Sequence, residues 1–475
     1  MTSASDLKIV IVGGGFSGTL FALKAHAALP RARIAIVEKS DRIGKGLAYG
    51  LCAPSHLLNV PVSRMEVGLE PGFQAWLAGG AANLAAALAE SGGDLPSAFV
   101  ERALFGAYLH ERLEAALRDT ERLAVVSAEV VGIEEVSSRS VVLGNGRRLA
   151  ADIVVLATGN LTPRPLGVAV RWPEDIPSDP WAPSLFDGMD PKAPLLLVGT
   201  GLTAVDVALK LTDNGHAGRL TAVSRHGLIP QAHVAGGHWP PFLDRKSLSP
   251  LDALRAVRAA AADAAAQGIA WQRVIDAVRP SVAGIWHRWS PAERRQFLRH
   301  VRPRWDVVRH RMAPRIAARL HELMRGGRLH VLAGRMRAAV PGTRGIDVTI
   351  DKRGGGREDV RVARIVNCTG PRSDYATIDY PLFADLRRRK LIVPDPLALG
   401  IETEDCAVVD SRGGASDWHF ALGSLTRPAW WEITAVPEIN VQIGRLVGKL
   451  SASRQSRAAR RALLAEEFVD LGAGI

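Results

Sequence analysis

Two stretches of the chain share one order of hydrophobic and polar positions: an apolar run, a glycine turn, and a segment with apolar residues at helical spacing. The first reads KIVIVGGGFSG from Lys8, and the second reads LLLVGTGLTA from Leu195. A short apolar run that ends in glycine predicts a buried strand, and the spacing that follows predicts an amphipathic helix. The pattern therefore predicts two strand-turn-helix units of the Rossmann type.

Further apolar runs complete these units. AVVSAEVVGIEEV, SVVLGN and DIVVLATGN predict a β-meander that leads into a last parallel strand, and RLHVLAG, GIDVTI and ARIVNCTG predict the strands that close the second unit. Two segments, at about 41–125 and 240–326, carry mainly helical patterns. The proline-rich stretch at about 161–186 predicts a linker. The fold class is therefore α/β, with two Rossmann-like dinucleotide-binding domains and helical insertions.

The glycine positions indicate how nucleotides would bind. The first glycine of such a turn permits the tight bend, the second lets a pyrophosphate approach the backbone, and the third position must be small so that the helix packs on the strand. The free N–H groups of the helix start then favour phosphate. The predicted cofactor contacts at the two turns and at the glycines that close each unit are Gly13, Gly15, Phe16, Ser17, Gly18, Thr158, Gly159, Gly199, Gly201, Leu202, Thr203 and Gly370, with Ala204 in the third small position.

The residue that ends the second strand of each unit distinguishes the cofactors. Glu38, followed by Lys39, can accept hydrogen bonds from the hydroxyls of an adenosine ribose, as in FAD or NAD binding. The equivalent position in the second unit is Ser224, followed by Arg225, which suits a 2′-phosphate. The sequence therefore predicts FAD at the first turn and NADPH at the second. A solvated cation is the alternative for Arg225.

Composition narrows the functional class. The net charge of the 475 residues is +12, but aromatic residues are only 5% and no nucleic-acid-binding module is present. The three cysteines form no CxxC pair, which argues against a dithiol reductase. There is no HExxH spacing for a metal and no GxSxG between a strand and a helix for a serine hydrolase. The amino terminus lacks a signal peptide, and no apolar stretch is long enough to cross a bilayer. We expect a cytoplasmic protein without metal, membrane or nucleic-acid partners.

The motifs VGGGFSG, LATGN, VGTGLTAVD, SRHGLIPQAH, NCTGP and GSLTRPAWWEITAVPEIN, together with HLLNVP and WDVVRHRMAP, carry a family resemblance. The chain resembles the FAD/NAD(P)-binding oxidoreductases that are related to the Baeyer-Villiger and N-hydroxylating flavin monooxygenases. The resemblance implies a glutathione-reductase-like arrangement with the flavin ring between two domains. The FAD domain would comprise residues 1–185 and 355–475, with its helical insertion at about 41–125. The NADPH domain would comprise residues 190–354, with its insertion at about 240–326.

The resemblance also places residues near the flavin. Gly423 and Ser424 would form a turn at the ribityl chain, Ile433 would contact the cofactor, and a following helix would point its amino terminus at the ring. Many proteins of this fold have an acidic residue where this chain has Ser424. The candidates beside the ring, with no catalytic residue assigned, are Asn59, His56, Trp431 and Glu432. A structural role is the alternative for His56 and for the tryptophan.

The predicted activity follows from the two cofactors. NADPH beside FAD permits hydride transfer, and without a dithiol or a metal the natural electron acceptors are dioxygen or a small organic molecule. The Baeyer-Villiger fingerprint is absent, which favours hydroxylation of a small, acidic amine or amino acid through a flavin hydroperoxide. Three arginines of the second insertion, Arg304, Arg309 and Arg311, are predicted to hold a substrate carboxylate, with solvated positions on the helix faces as the alternative. A reductase or dehydrogenase without oxygen transfer and a non-catalytic redox sensor are the alternatives. The oligomeric state is open, with a homodimer as one option.

Overall fold

The computed structural model describes residues 6–80, 84–135, 138–167, 178–243 and 248–453. Part of the predicted linker and the end of the predicted FAD domain, residues 454–475, lie outside these ranges. The described chain forms two large sheets. In each sheet, the strand that comes first in the chain leads into one of the glycine turns. The predicted α/β class with two Rossmann-like units is confirmed.

The first sheet has seven strands in the order β14-β15-β16-β7-β1-β2-β3. The bounds are β1 (Leu7–Val12), β2 (Ala32–Glu38), β3 (Leu123–Ser127), β7 (Ile153–Leu156), β14 (Thr403–Glu404), β15 (Ala407–Val409) and β16 (Ala415–Ala421). Strands β16, β7, β1, β2 and β3 run parallel. Because β16 lies late in the chain and pairs with β7, the carboxyl-terminal part of the protein returns to the first unit. A small antiparallel sheet of β4 (Val130–Glu135), β5 (Arg139–Leu143) and β6 (Arg148–Ala150) comes between β3 and β7 in the chain.

The second sheet has six strands in the order β12-β11-β10-β9-β8-β13. The bounds are β8 (Leu195–Val198), β9 (Leu220–Ser224), β10 (Leu329–Gly342), β11 (Gly345–Lys352), β12 (Arg357–Val362) and β13 (Arg364–Asn367). Strand β13 is parallel to β8 and completes the second unit. We therefore move the predicted boundary at 354/355 to a point after Asn367, since β12 and β13 pair only within this sheet among the described strands.

Twelve helices with described ends and a thirteenth that runs to the limit of the described chain surround the sheets. The bounds are α1 (Phe16–Ala28), α2 (Gly46–Gly50), α3 (Phe73–Ala78), α4 (Ala85–Glu90), α5 (Arg102–Asp119), α6 (Leu202–Asp213), α7 (Pro250–Ala266), α8 (Trp271–Arg288), α9 (Pro291–His300), α10 (Arg302–Arg309), α11 (Pro314–Arg325), α12 (Pro381–Arg388) and α13 (436–453). None of the described helices is both long and apolar enough to span a bilayer.

The second insertion packs onto the carboxyl-terminal segment rather than standing apart. Serine followed by proline starts two of its helices, and Ser290 with Glu293 forms a capping box at α9. Trp286 and Phe297 of this insertion share one apolar cluster with Leu399 and Trp431. Burial of these large rings fixes the insertion on the carboxyl-terminal segment.

Candidate functional site

The first glycine turn is tight because its neighbours leave no room for side chains. Gly13 has φ 107°, and a Cβ atom there would lie 2.4 Å from the carbonyl oxygen of Ala157. A Cβ atom at Gly18 would lie 1.9 Å from the carbonyl oxygen of Gly13. At Gly15 the nearest atom to a Cβ would be the Cα of Gly46, at 3.5 Å. The turn is thus closed on its strand side and open at Gly15, as a bound pyrophosphate requires.

Glu38 is held in place beside this turn. Its carboxylate accepts hydrogen bonds from the backbone N–H of Gly14 and from the N–H and hydroxyl of Ser40, each at 2.8 Å. Lys39 forms an exposed ion pair with Glu129. Glu38, rather than Lys39, would therefore contact a nucleotide. The side chain of Phe16 packs on Phe105, so its predicted contact depends on its backbone N–H alone. An acceptor fixed at this strand end fits an adenosine ribose.

The second turn repeats the first. Gly199 has φ 119°, and a Cβ atom there would lie 2.3 Å from the carbonyl oxygen of Cys368. Nothing lies within 4 Å of a Cβ atom built at Gly201. Thr369 and Gly370 follow β13 as Thr158 and Gly159 follow β7. The open face at Gly201 leaves space for phosphate at the start of α6.

Arginines surround the strand end of the second unit. The hydroxyl of Ser224 lies 2.8 Å from that of Thr200 and accepts from the N–H of Gly227 at 3.1 Å. Burial lowers the pKa of the adjacent His226, as do the charges of Arg353, Arg225, Arg304 and Arg335. Within the described residues Arg225, Arg304 and Arg335 form no ion pair, so their charge is available to a phosphate. Arg304, a predicted substrate residue, is exposed, and its charge acts on His226.

A cavity of about 890 Å³ joins the two units. The second unit contributes Gly199, Gly201, Leu202, Thr203, Ser224 and Arg225 to its lining. The first unit and the carboxyl-terminal segment contribute Asn59, Val60, Asn160, Ser424, Thr434 and Ala435. Residues that were predicted to contact different cofactors thus face one space.

Asn59 is fixed on two sides. His233 donates from Nε2 to the Asn59 carbonyl oxygen at 2.8 Å, and Arg102 donates to the Asn59 side-chain oxygen at 3.4 Å. Arg102 also forms a bidentate ion pair with Asp206 of α6. Burial lowers the pKa of His233 to about 4, so the imidazole is neutral at neutral pH. His233 was not predicted, because nothing in its local sequence indicates that its partner is Asn59.

His56 has a structural role. Its Nδ1 accepts from the N–H of Ala53 at 3.2 Å, and its Nε2 therefore donates to the carbonyl oxygen of Asp206 at 3.0 Å. Both ring nitrogens are used, and the residue is only 1% exposed. His56 ties the loop before Asn59 to helix α6.

Gly423 and Ser424 bring the carboxyl-terminal segment to the first turn. Gly423 has φ 72°, and a Cβ atom there would lie 3.0 Å from the Ser17 hydroxyl. The Ser424 hydroxyl donates to the carbonyl oxygen of Gly159 at 3.0 Å. An ionised acidic side chain at this position has no proton to donate and could not form this hydrogen bond with the first unit.

Three predicted flavin neighbours lie behind the cavity wall. Trp431 is 2% exposed and stacks on Trp286, with ring centroids 4.7 Å apart. Glu432 accepts from the indole N–H of Trp305 at 2.7 Å. Ile433 is 1% exposed in the core of the first unit, whereas the next two residues, Thr434 and Ala435, line the cavity. The contact of Ile433 with the cofactor stays a prediction.

Arg309 and Arg311, which were predicted to hold a substrate carboxylate, both line the cavity. Arg309 lies 3.0 Å from Glu432, and Arg311 is paired with Asp276. Both guanidinium groups have acidic partners that are distant in the sequence. Two other cavity residues of this region, His310 and Arg427, were not predicted. Burial lowers the pKa of His310 below its ordinary value, which favours the neutral imidazole.

Comparison with known proteins agrees with this geometry. Residues 10–161 match the family model described as FAD-NAD(P)-binding. An uncharacterised protein of Mycobacterium tuberculosis is 22% identical over 91% of this chain and 92% of its own length. The ornithine N-hydroxylase of Kutzneria sp. 744, with reduced FAD, NADP+ and L-ornithine, superposes with a TM-score of 0.65 at 16% identity, covering 94% of this chain and 99% of that one.

A second solved structure shares the architecture. The L-lysine 6-monooxygenase of Pseudomonas syringae has a TM-score of 0.62 at 17% identity, over 94% of this chain and 99% of that chain. Identities this low establish the fold alone. Residues 10–161 are therefore an FAD/NAD(P)-binding domain, and the described chain has the two-domain fold of flavin- and nicotinamide-dependent oxidoreductases that include N-hydroxylating monooxygenases.

Proposed function

We propose that the protein is an FAD-dependent, NADPH-oxidising monooxygenase that hydroxylates a nitrogen of a small amine or amino acid. The observation that carries this proposal is the cavity shared by the second glycine turn and by Asn59 and Ser424. A nicotinamide extending from Gly201 and a flavin ring beside Asn59 would meet there. Proximity of this kind is the requirement for hydride transfer between the two cofactors.

Both cofactors fit the residues present. The open faces at Gly15 and Gly201 leave room for pyrophosphate, and Glu38 is oriented for a ribose. Arg225, Arg304 and Arg335 would bind the 2′-phosphate of NADPH. When bound, FAD would supply hydride acceptance and the activation of dioxygen.

The protein's own groups would prepare the substrate. An amine must lose a proton before its nitrogen can act as a nucleophile, and the imidazole of His310 lies at the wall of the cavity that would hold this amine. Asn59, held by His233 and Arg102, would keep the flavin-side wall in position. The surrounding apolar cluster would exclude water.

Oxygen transfer is favoured over thiol reduction. The three cysteines are free, and burial raises the pKa of Cys52 to about 11. Burial also raises the pKa of Cys368 and of Cys406. None of them would be a thiolate at neutral pH, so electrons would leave the site to a small molecule.

The test uses the full chain loaded with FAD and a panel of diamines and basic amino acids, with and without dioxygen. A monooxygenase is expected to oxidise NADPH faster with substrate, to consume oxygen, and to yield a product one oxygen atom heavier by mass spectrometry. If NADPH is oxidised equally fast without oxygen, with an organic electron acceptor in its place, the proposal would be contradicted and a reductase would be favoured. Bound FAD without turnover of any compound would favour a redox sensor.

A further inference from the structure

One wall of the shared cavity carries more positive than negative charge, and the phosphates of the two nucleotides would not neutralise it. It is formed by Arg302, Asp306 and Arg309 of α10 and by Arg427, which follows Ser424 by three residues. The phosphates of NADPH would bind at Gly201 and at the separate group of arginines around His226. The charge at this wall therefore faces the space that remains for a substrate.

The acidic groups at the wall already have partners. The pairs are Arg302 with Asp306 at 3.2 Å, Arg309 with Glu432 at 3.0 Å, and Arg279 with Glu438 at 2.5 Å. Among the described residues Arg427 has no acidic group within ion-pair distance. Asp306 and Glu432 act on Arg427 electrostatically, but neither of them pairs with it directly.

Arg427 is also held in a defined position. Its guanidinium lies over the ring of Trp431, 4.3 Å from the centroid, and Trp431 in turn stacks on Trp286. The Nε atom of Arg427 and the indole nitrogen of Trp431 are buried without an acceptor in the described part of the chain. Burial, with the nearby charge of Arg302, lowers the pKa of Arg427 to about 10, which still leaves it protonated at neutral pH. A buried donor without an acceptor is costly, and an anionic ligand in the cavity, which Arg427 lines, would satisfy the Nε atom of Arg427.

We propose that Arg427 binds the carboxylate of the substrate, so that the enzyme acts on a small amino acid rather than on a simple amine. The planar guanidinium suits bidentate binding of a carboxylate. Ser424 contacts Gly159 of the first unit, so Arg427 lies one turn away from the flavin end of the cavity. A substrate held by its carboxylate at Arg427 would extend its amine along the cavity. This inference rests on the proposed function.

The test compares substrates in pairs that differ by a carboxylate: putrescine with ornithine, and cadaverine with lysine. The FAD-loaded wild type is expected to show a KM at least about 10-fold lower for the amino acid of each pair. Arg427→Gln should raise that KM about 10- to 100-fold and leave the KM values for the diamines and NADPH unchanged. Arg427→Lys should recover part of the loss. Arg299→Gln, an exposed change on α9, is the matched control and should change none of these values.

Several outcomes would overturn the inference. Equal KM values for both members of each pair in the wild type would remove the carboxylate requirement and leave the proposed function intact. A loss of NADPH affinity in Arg427→Gln would assign the arginine to a cofactor phosphate. If Arg427→Gln fails to fold, the KM of Arg427→Lys decides, since an unchanged value contradicts the inference.

A binding measurement separates the inference from the proposed function. Calorimetry with glutarate, which carries carboxylates but no oxidisable amine, should detect binding to the FAD-loaded wild type and not to Arg427→Gln. If no amine is ever oxidised, the proposed function fails, and this result would still support the anion site. Equal glutarate binding by both proteins would contradict it.

Discussion

The two glycine turns share a backbone plan and differ in a few side chains. In both, the first glycine lies against the carbonyl oxygen of a closing strand, from Ala157 in one and Cys368 in the other. The third small position is Gly18 in the first turn and Ala204 in the second, and the strand ends carry Glu38 and Ser224. We propose that the shared backbone holds the phosphates and that the side chains at the strand end select the adenosine.

The residue at the third small position, Gly18 or Ala204, shows how closely each helix packs on its glycine turn. A Cβ atom at Gly18 would lie 1.9 Å from the Gly13 carbonyl oxygen, whereas the second turn accommodates the methyl group of Ala204 at 5% exposure. The first helix therefore packs more closely on its turn than the second.

Gly18→Val is expected to have the largest effect. The side chain cannot fit against the backbone of the turn, so we expect a loss of more than about 5 kcal/mol and no folded, flavin-binding protein. The reciprocal change Ala204→Gly should cost only about 0.5 to 1 kcal/mol. Urea unfolding and the flavin absorbance of purified protein measure both. Similar effects of the two changes would remove the distinction between the turns.

Asp206→Ala tests the connection between the units. Its ion pair with Arg102 joins helix α6 of the second unit to the loop at Asn59, and the two side chains are 9% and 13% exposed. Removing one partner of a buried pair should cost about 3 to 5 kcal/mol. A double-mutant cycle with Arg102→Ala in urea unfolding should show strong coupling. Additive effects would mean that the pair does not link the units.

Glu38→Ala should weaken FAD and leave NADPH unaffected. Loss of a charged acceptor at the ribose is expected to raise the FAD dissociation constant about 10- to 100-fold. Flavin release followed by fluorescence gives the constant, and Glu129→Ala at the exposed pair with Lys39 is the control. Equal weakening of NADPH would show that Glu38 does not distinguish the turns.

Arg225→Ala should have the smallest effect. The ratio of kcat/KM for NADPH to that for NADH is expected to fall about 10-fold, because one of several phosphate-binding charges is lost. Higher salt should reduce the same ratio, since the side chain is exposed. Arg344→Ala on the hairpin of the second sheet is the control. An unchanged ratio would make Arg225 a solvated cation.

The nucleotide-binding units were predictable from the sequence because their signals are local. An apolar run, Gly13 or Gly199, and a strand-end side chain lie within one short segment, and the structural constraint on each glycine comes from its own turn. The two sheets and the cavity-lining residues around Gly201 and Ser224 follow from that pattern.

The substrate end was less predictable because its contacts join distant parts of the chain. Glu432 determines the role of Arg309, and no feature near either residue indicates this pairing. The second sheet continues past the predicted boundary at 354/355, because β12 pairs with β11 and β13 pairs with β8. In the irregular segment after Glu432, core and cavity positions lie one residue apart, and no periodic pattern in the sequence separates Ile433 from Thr434.

The central claim is that a flavin at the first turn is reduced by NADPH at the second. Anaerobic mixing of the FAD-loaded protein with NADPH, followed by absorbance, tests it most directly. The account predicts that the flavin absorbance bleaches with NADPH and recovers when oxygen is admitted. A protein that binds no flavin, or a bound flavin that NADPH fails to bleach, would contradict it.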